Sequence, residues 1–330
     1  MMSRTLRLLS YFLPLLALTV IVFGAYVRLS DAGLGCPDWP GCYGRLTVPS
    51  SVADVHLQHP DWHSRTLETG KAWREMIHRY LATTLGLGIV ILAAASTRSS
   101  LRSAVGIGAV VFLLVPLVLF QGLLGMWTVT LLLKPLVVSA HLLGGLATLA
   151  LLWWNLLGVR GERAVALTRG GLYLMARVAV GVLVVQIFLG GWTSANYAAL
   201  ACTDFPTCQG SWWPHTDFRQ AYVLWRGLGI NYEFGVLDTP ARTAIHVGHR
   251  LGALLSTLTV AVTALLAWRS GQPRLRRLAS CILAALALQV GLGITNVLGG
   301  LPLPVAVAHN GVAAVLLLTL ITLVHSTRRL

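Results

Sequence analysis

Leu34-Gly35-Cys36-Pro37-Asp38-Trp39-Pro40-Gly41-Cys42-Tyr43-Gly44 returns in outline as Leu200-Ala201-Cys202-Thr203-Asp204-Phe205-Pro206-Thr207-Cys208-Gln209-Gly210. A shift of 166 residues superimposes Leu, Cys, Asp, an aromatic, Pro, Cys and Gly. Working outward, His78-Arg79 recurs as His249-Arg250, Gln121-x-x-Leu124-Gly125 as Gln289-x-x-Leu292-Gly293, and His141 as His309. Four matches in one order at a nearly constant offset are beyond chance, so the chain reads as a tandem duplication.

What is duplicated follows from composition. Of 330 residues, 56% are apolar and only 11% charged, with a mean hydropathy of +0.73. A soluble domain carries about 25% charge, so this is an integral membrane protein. The formal net charge of +14 could suggest a nucleic-acid partner. In so apolar a chain it reads instead as arginine flanking membrane spans, with no nucleic acid involved. Arg4 and Arg7 lead straight into an apolar run without a cleavage-site pattern.

Segments of about 20 apolar residues cross the hydrocarbon, and they are expected at roughly 9–28, 76–97, 104–129, 136–158, 172–193, 243–268, 279–298 and 304–325. Two long polar loops, 29–75 and 194–242, lie between them. The short connections and termini hold Arg4, Arg7, Arg98, Arg102, Arg160, Arg163, Arg169, Arg269, Arg274, Arg276, Arg277, Arg328 and Arg329 with only Glu162 for company. The positive-inside rule puts that side in the cytoplasm and both long loops outside. The expected architecture is all-α: eight transmembrane helices as two tandem pseudo-symmetric four-helix bundles, N-in/C-in. Residues 1–159 form one half, 160–171 a cytoplasmic linker and 172–330 the other half. Parallel repeats of this kind also occur in transporters, so duplication alone chooses no function.

His56, His59, His63 and His215 fall in outer loops and His325 at the inner end, where solvated side chains are the simplest reading. His78, His141, His249 and His309 each fall inside the outer end of an even-numbered span, roughly 5–10 Å below the surface. Ionisable groups at such depth are costly and usually functional. Glu-x-x-His pairs for a carboxylate di-metal site are lacking in the second half, and zinc would want more protein ligands. Two imidazoles on different helices suit axial ligation of a haem iron, one haem per half. Arg79 and Arg250 could pair with propionates, and Gly125, Gly144, Gly145 and Gly293 could make room for the macrocycle or serve plain helix packing.

Chemistry should lie where the duplication breaks. Glu75-x-x-His78 is matched by His246-x-x-His249, and positions three apart share a helix face. Glu75 could therefore act as a general base or stabilise developing positive charge beside the first site, or simply pair with Lys71, Arg74 or Arg79. His246 could be a third haem neighbour or a loop anchor. Cys36/Cys42 and Cys202/Cys208 face an oxidising compartment in most bacteria, and their spacing suits tight loops closed by a bond, as staples or as redox pairs.

Together these residues resemble the haem A synthase family. The matching motifs are Gly24-Ala-x-Val27-Arg28, Gly33-Leu-Gly-Cys-Pro-Asp-Trp-Pro-x-Cys42, Glu75-x-x-His78-Arg79, His141, the Cys202/Cys208 pair, His249-Arg250 and His309. The resemblance implies an oxidoreductase that converts the ring methyl of haem O to a formyl group by successive hydroxylations, making haem A for terminal oxidases. By that similarity His249 and His309 ligate a resident haem b, and His78 and His141 hold substrate haem O. Glu75 is the catalytic carboxylate with Cys36 and Cys42 beside it. The bacterial inner membrane is the implied location, with the haem sites toward its outer face. Contact with a haem O synthase and homo-oligomerisation are the partner expectations. The rival readings are a quinol-linked di-haem b electron-transfer protein and a haem transporter.

Overall fold

The computed structural model describes residues 4–51, 67–97, 107–162, 164 and 171–328. His56, His59, His63, Arg98, Arg102, Arg163, Arg169 and Arg329 lie outside the described residues. Among the described residues, eight helices are long and apolar enough to cross a membrane. In chain order they are α1 (Arg4–Leu29), α2 (Thr69–Thr97), α3 (Ile107–Thr130), α4 (Pro135–Val159), α5 (Gly171–Ala195), α7 (Thr239–Trp268), α8 (Pro273–Leu298) and α9 (Leu303–Thr327). A short α6 (Phe218–Ala221) interrupts the second long loop. Among the described residues there is no β-strand, only two isolated bridges in the cysteine loops.

The helices overrun the apolar spans where polar residues can continue the backbone ladder into water. α2 starts at Thr69, seven residues before the expected 76, because Lys71 and Arg74 are good helix formers despite their charge. α8 opens with Pro273 and carries Arg274, Arg276 and Arg277 in its first turns. α7 begins where Asp238 accepts from the Ala241 amide at 3.1 Å, with Pro240 in the first turn. Both are the usual furniture of a helix N-terminus.

α1 packs on α2 and α4, α2 on α3, and α3 on α4. The second set repeats this: α5 on α7 and α9, α7 on α8, and α8 on α9. The sets join through α1–α9, α4–α5 and α4–α9. Near the outer ends Arg28 donates to the Ser194 carbonyl at 2.7 Å and lies 4.3 Å from the Tyr197 ring, whose hydroxyl reaches Asp31 at 3.3 Å. Both hydrogen-bonded pairs are 166 residues apart in sequence, the repeat offset itself, so equivalent positions face each other across the join. A second tie is Lys134, almost fully buried, which donates to the Gly227 carbonyl and sits 3.5 Å from the Trp225 ring.

One apolar core containing Leu13, Ile89, Leu149, Ala176, Ile282 and Leu320 fills the end with the short connections. The histidines lie nearer the end with the long loops. That division positions the site: a packed floor, and above it four imidazoles under two stapled loops.

Candidate functional site

Each loop is held by the same bonds. Cys36–Cys42 and Cys202–Cys208 are disulfides. Asp38 accepts from the amides of Tyr43 at 2.6 Å and Gly44 at 2.8 Å, and Asp204 from Gln209 at 2.6 Å and Gly210 at 3.0 Å. Such Asx contacts close the turn between the cysteines. The Thr207 hydroxyl, then the Gly210 amide, hold the Asp204 carboxyl at about 2, well below its ordinary 3.8.

Arg79 donates to the carbonyls of Asp38 at 2.9 Å, Pro40 at 3.2 Å and Gly41. Arg250 does the same for Asp204 at 2.7 Å, Thr207 at 2.7 Å and Pro206 at 3.5 Å. Both arginines, expected beside propionates, are thus engaged in fastening their loop to the helix below.

Glu75 is 4% exposed. Its Oε2 accepts from the Cys36 amide at 2.9 Å and its Oε1 pairs with Arg79 at 2.5 Å. Of the partners expected for Glu75, Lys71 pairs instead with Glu68 and Arg74 donates to backbone carbonyls. In the second half the Cys202 amide donates to His246 Nδ1 at 3.3 Å. His246 therefore anchors the loop, and Glu75 occupies the corresponding place with a carboxylate.

The four recurring histidines share a device not read from the sequence. A Cβ added at Gly24 of α1 would lie 2.7 Å from His78 Cε1, and one at Gly190 of α5 would lie 3.2 Å from His249 Cε1. On α3 and α8, Gly125 and Gly293 stand likewise 3.5 Å and 3.2 Å from the Cε1 atoms of His141 and His309. A Cβ at Gly24 would clash with its imidazole, those at Gly190 and Gly293 would press on theirs, and one at Gly125 would make ordinary contact with His141. Gly24 and Gly190 are related by the repeat offset, and that recurrence could have been found in the sequence. The Nδ1 atoms of His78, His141 and His309 are buried without a partner, whereas His249 Nδ1 meets Gln186 at 3.0 Å.

These features fit a haem ligated by two imidazoles. The rings come from different helices, and Nδ1 of His78, His141 and His309 has no protein partner, while His249 Nδ1 meets Gln186 and His309 Nε2 meets Gln289 at 3.2 Å. Among the described residues no three His, Cys, Asp or Glu side chains gather around a common point. An apolar groove of about 760 Å³ opens between α1 and α9, lined by Phe23 and Tyr26 near Gly24 and by Val307 and Ala308 beside His309.

Residues 7–321 match the family described as cytochrome oxidase assembly protein, COX15-CtaA. The chain is 46% identical over 309 residues to a protein named Heme A synthase from Shewanella oneidensis, covering 93% of this chain and 92% of that one. It is 30% identical to the Heme A synthase of Paracoccus denitrificans, with 96% and 86% covered. With Heme A synthase COX15 of Homo sapiens the identity is 28%, with 94% and 79% covered.

Proposed function

The chain belongs to the cytochrome oxidase assembly protein family COX15-CtaA, and from that premise we propose that it makes haem A by oxidising the ring methyl of haem O to a formyl group. Two pseudo-symmetric halves share the work, with both termini in the cytoplasm of a bacterium and the stapled loops outside its inner membrane. His78 and His141 hold the substrate haem O. His249 and His309 hold a resident haem b, which supplies a one-electron redox centre when bound.

Glu75 is the residue assigned to the chemistry. Hydroxylating a methyl carbon with water breaks a C–H bond, forms a C–O bond and sheds two electrons and two protons, the electrons passing by way of bound haem to a one-electron acceptor outside this chain. The step therefore requires that a proton leave the attacking oxygen and that positive charge at the carbon be balanced. A carboxylate one helical turn from His78 can do either. The Cys36 amide and Arg79 hold it rigidly, so it need not reorganise as charge develops. The Cys36–Cys42 disulfide orients the amide that Glu75 accepts from, which makes this pair a positioning element. Haem O and haem A are poorly soluble, so direct hand-over from a haem O synthase at the membrane is the economical supply route.

The observation that carries this reading is the single exchange at corresponding positions. His246 anchors its loop through a neutral ring, whereas the first half makes the same anchor with a carboxylate. A protein that only carried electrons would have no use for that exchange. The test is co-expression with a haem O synthase, purification, and identification of extracted haems by chromatography and mass. Haem B together with haem A or a hydroxylated haem O supports the proposal. Haem B alone, with haem O abundant in the membranes, refutes it and leaves a di-haem electron-transfer protein.

A further inference from the structure

We infer that residues 212–222 of the second outer loop form an aromatic foot that rests in the outer leaflet of the bilayer, with the interfacial region of phospholipid as its partner. This foot rests on the spanning helices and is independent of the haem chemistry proposed above.

The foot hangs from the outer ends of two helices. The Asp217 amide donates to the Pro240 carbonyl in the first turn of α7 at 3.1 Å. The Trp192 indole of α5 donates to the Ala221 carbonyl at 2.9 Å, and Asp217 caps α6 by accepting from the Gln220 amide at 2.9 Å. Such bonds matter at this depth, because backbone groups near lipid lack water to pair with. From there the chain runs down the flank of α7, where a Cβ at Gly248 would collide with the Tyr222 hydroxyl. Gly248 lies roughly 8 Å inside the apolar part of α7, which begins near residue 243. By the shift that relates His78 to His249, the first half has Ile77 in this place. Ile77 carries a Cβ, so the seat is particular to the second half.

Gly248 stands at the outer end of a stripe. Leu251, Leu255, Leu258 and Val262 follow it at helical spacing, and each is about half exposed. On a spanning helix such an exposed apolar stripe faces acyl chains. Tyr222 therefore sits on the lipid side of the bundle and not above its interior. Phe218 stacks on Tyr222 with ring centroids 6.5 Å apart, and Trp213 stacks on Phe218 at 6.2 Å. Trp213 is 64% exposed and Trp212 77%. Indole and phenol rings in this setting bury their apolar bodies in the leaflet and keep their polar tips at the headgroups. Arg219, exposed on α6, supplies a cation for lipid phosphate.

The experiment uses the full-length protein in phosphatidylcholine vesicles, with the free Cys281 replaced by serine. A nitroxide label is attached at Trp213→Cys and, for reference, at Asn231→Cys. Asn231 is exposed on the same loop, next to Tyr232, whose amide donates to Leu132 in the outer turn between α3 and α4. Spin relaxation is read with oxygen, which concentrates in lipid, and with a nickel chelate confined to water. At 213 oxygen is expected to collide more often than the chelate, and at 231 the order reverses. If Trp213→Cys does not accumulate, the label at Phe218→Cys decides. The same order at both positions, whichever it is, overturns the inference. A label at 213 that neither reagent reaches also overturns it, in favour of a protein partner such as a second copy of this chain.

Discussion

Replacing Glu75 separates its two jobs, because the second half already shows what a non-acidic residue does in its place. Glu75→Ala leaves the Cys36 N–H buried without an acceptor, which costs about 1–3 kcal/mol. It also removes one partner of a buried ion pair, an effect of about 3–5 kcal/mol. Arg79 keeps its loop carbonyls, so the lower end of that second figure applies. The sum, about 4–6 kcal/mol, is a large part of the roughly 5–15 kcal/mol that holds a typical protein together. Alanine therefore confounds folding with chemistry.

Glu75→Gln keeps an acceptor for the Cys36 amide, and Glu75→His copies the bond that His246 makes to the Cys202 amide. Each still removes the charge paired with Arg79 but spares the Cys36 amide, so the cost falls to about 3 kcal/mol. If the carboxylate is the reacting group, both variants fold and bind haem B yet form haem A about 10²–10⁴ times more slowly. The assay is the ratio of haem A to haem O extracted from co-expressing cells, beside the haem B absorbance and thermal midpoint of the purified variant. Haem A formation by Glu75→Gln at more than about a tenth of the wild-type rate, far above that expected after loss of a general base, would refute the assignment and leave Glu75 as a loop anchor.

Gly24→Ala drives a Cβ to 2.7 Å from His78 Cε1. It is expected to lower haem O occupancy and product while leaving haem B content unchanged, measured on one extract. Removing Cys202 and Cys208 together opens a small loop and should cost about 2 kcal/mol. The Asp204 and Arg250 bonds remain, so haem A formation persists, and a thermal shift without loss of product is the expected pair of results. Asp204 has its folded pKa depressed to about 2, so its stabilising contribution is present above the ordinary value near 3.8 and is lost as pH falls through about 2. Protease sensitivity of the second loop should rise across that window, and Asp204→Asn should flatten the dependence. Lys134→Met removes the buried tie to the Gly227 carbonyl and Trp225. Losing a bond to a charged group costs about 1.5–3 kcal/mol, and faster amide exchange in residues 225–232 but not in 200–210 is the sign of it.

Much of this site was legible before any coordinates. Repetition exposed His78, His141, His249 and His309 as one set, since a buried histidine is ambiguous alone and four at matching depth are not. Both disulfides followed from the spacing of their cysteines, and Glu75 stood out because His246 sits where a second glutamate would repeat it. Other roles escaped. Whether His246 touched a haem or held a loop was open in the sequence; its Nδ1 accepts from the Cys202 amide, a contact that holds the loop. Arg79 and Arg250 read as partners for haem propionates, but loop carbonyls that no motif records surround them. Gln186 was one polar residue in an apolar span, without meaning until His249 was beside it.

That eight helices span the membrane, that their order is duplicated, and which residues recur can be read from the chain alone. Those properties are encoded locally, in runs of apolar side chains long enough to cross hydrocarbon and in motifs repeated along the chain. Which ring nitrogen meets which amide, which glycine lies against which imidazole, and the reach of Arg28 and Asp31 across to Ser194 and Tyr197 come from the packed fold. Such contacts join residues far apart in the chain. Their geometry is set by how helices rotate and pack against one another, and no single segment carries that information.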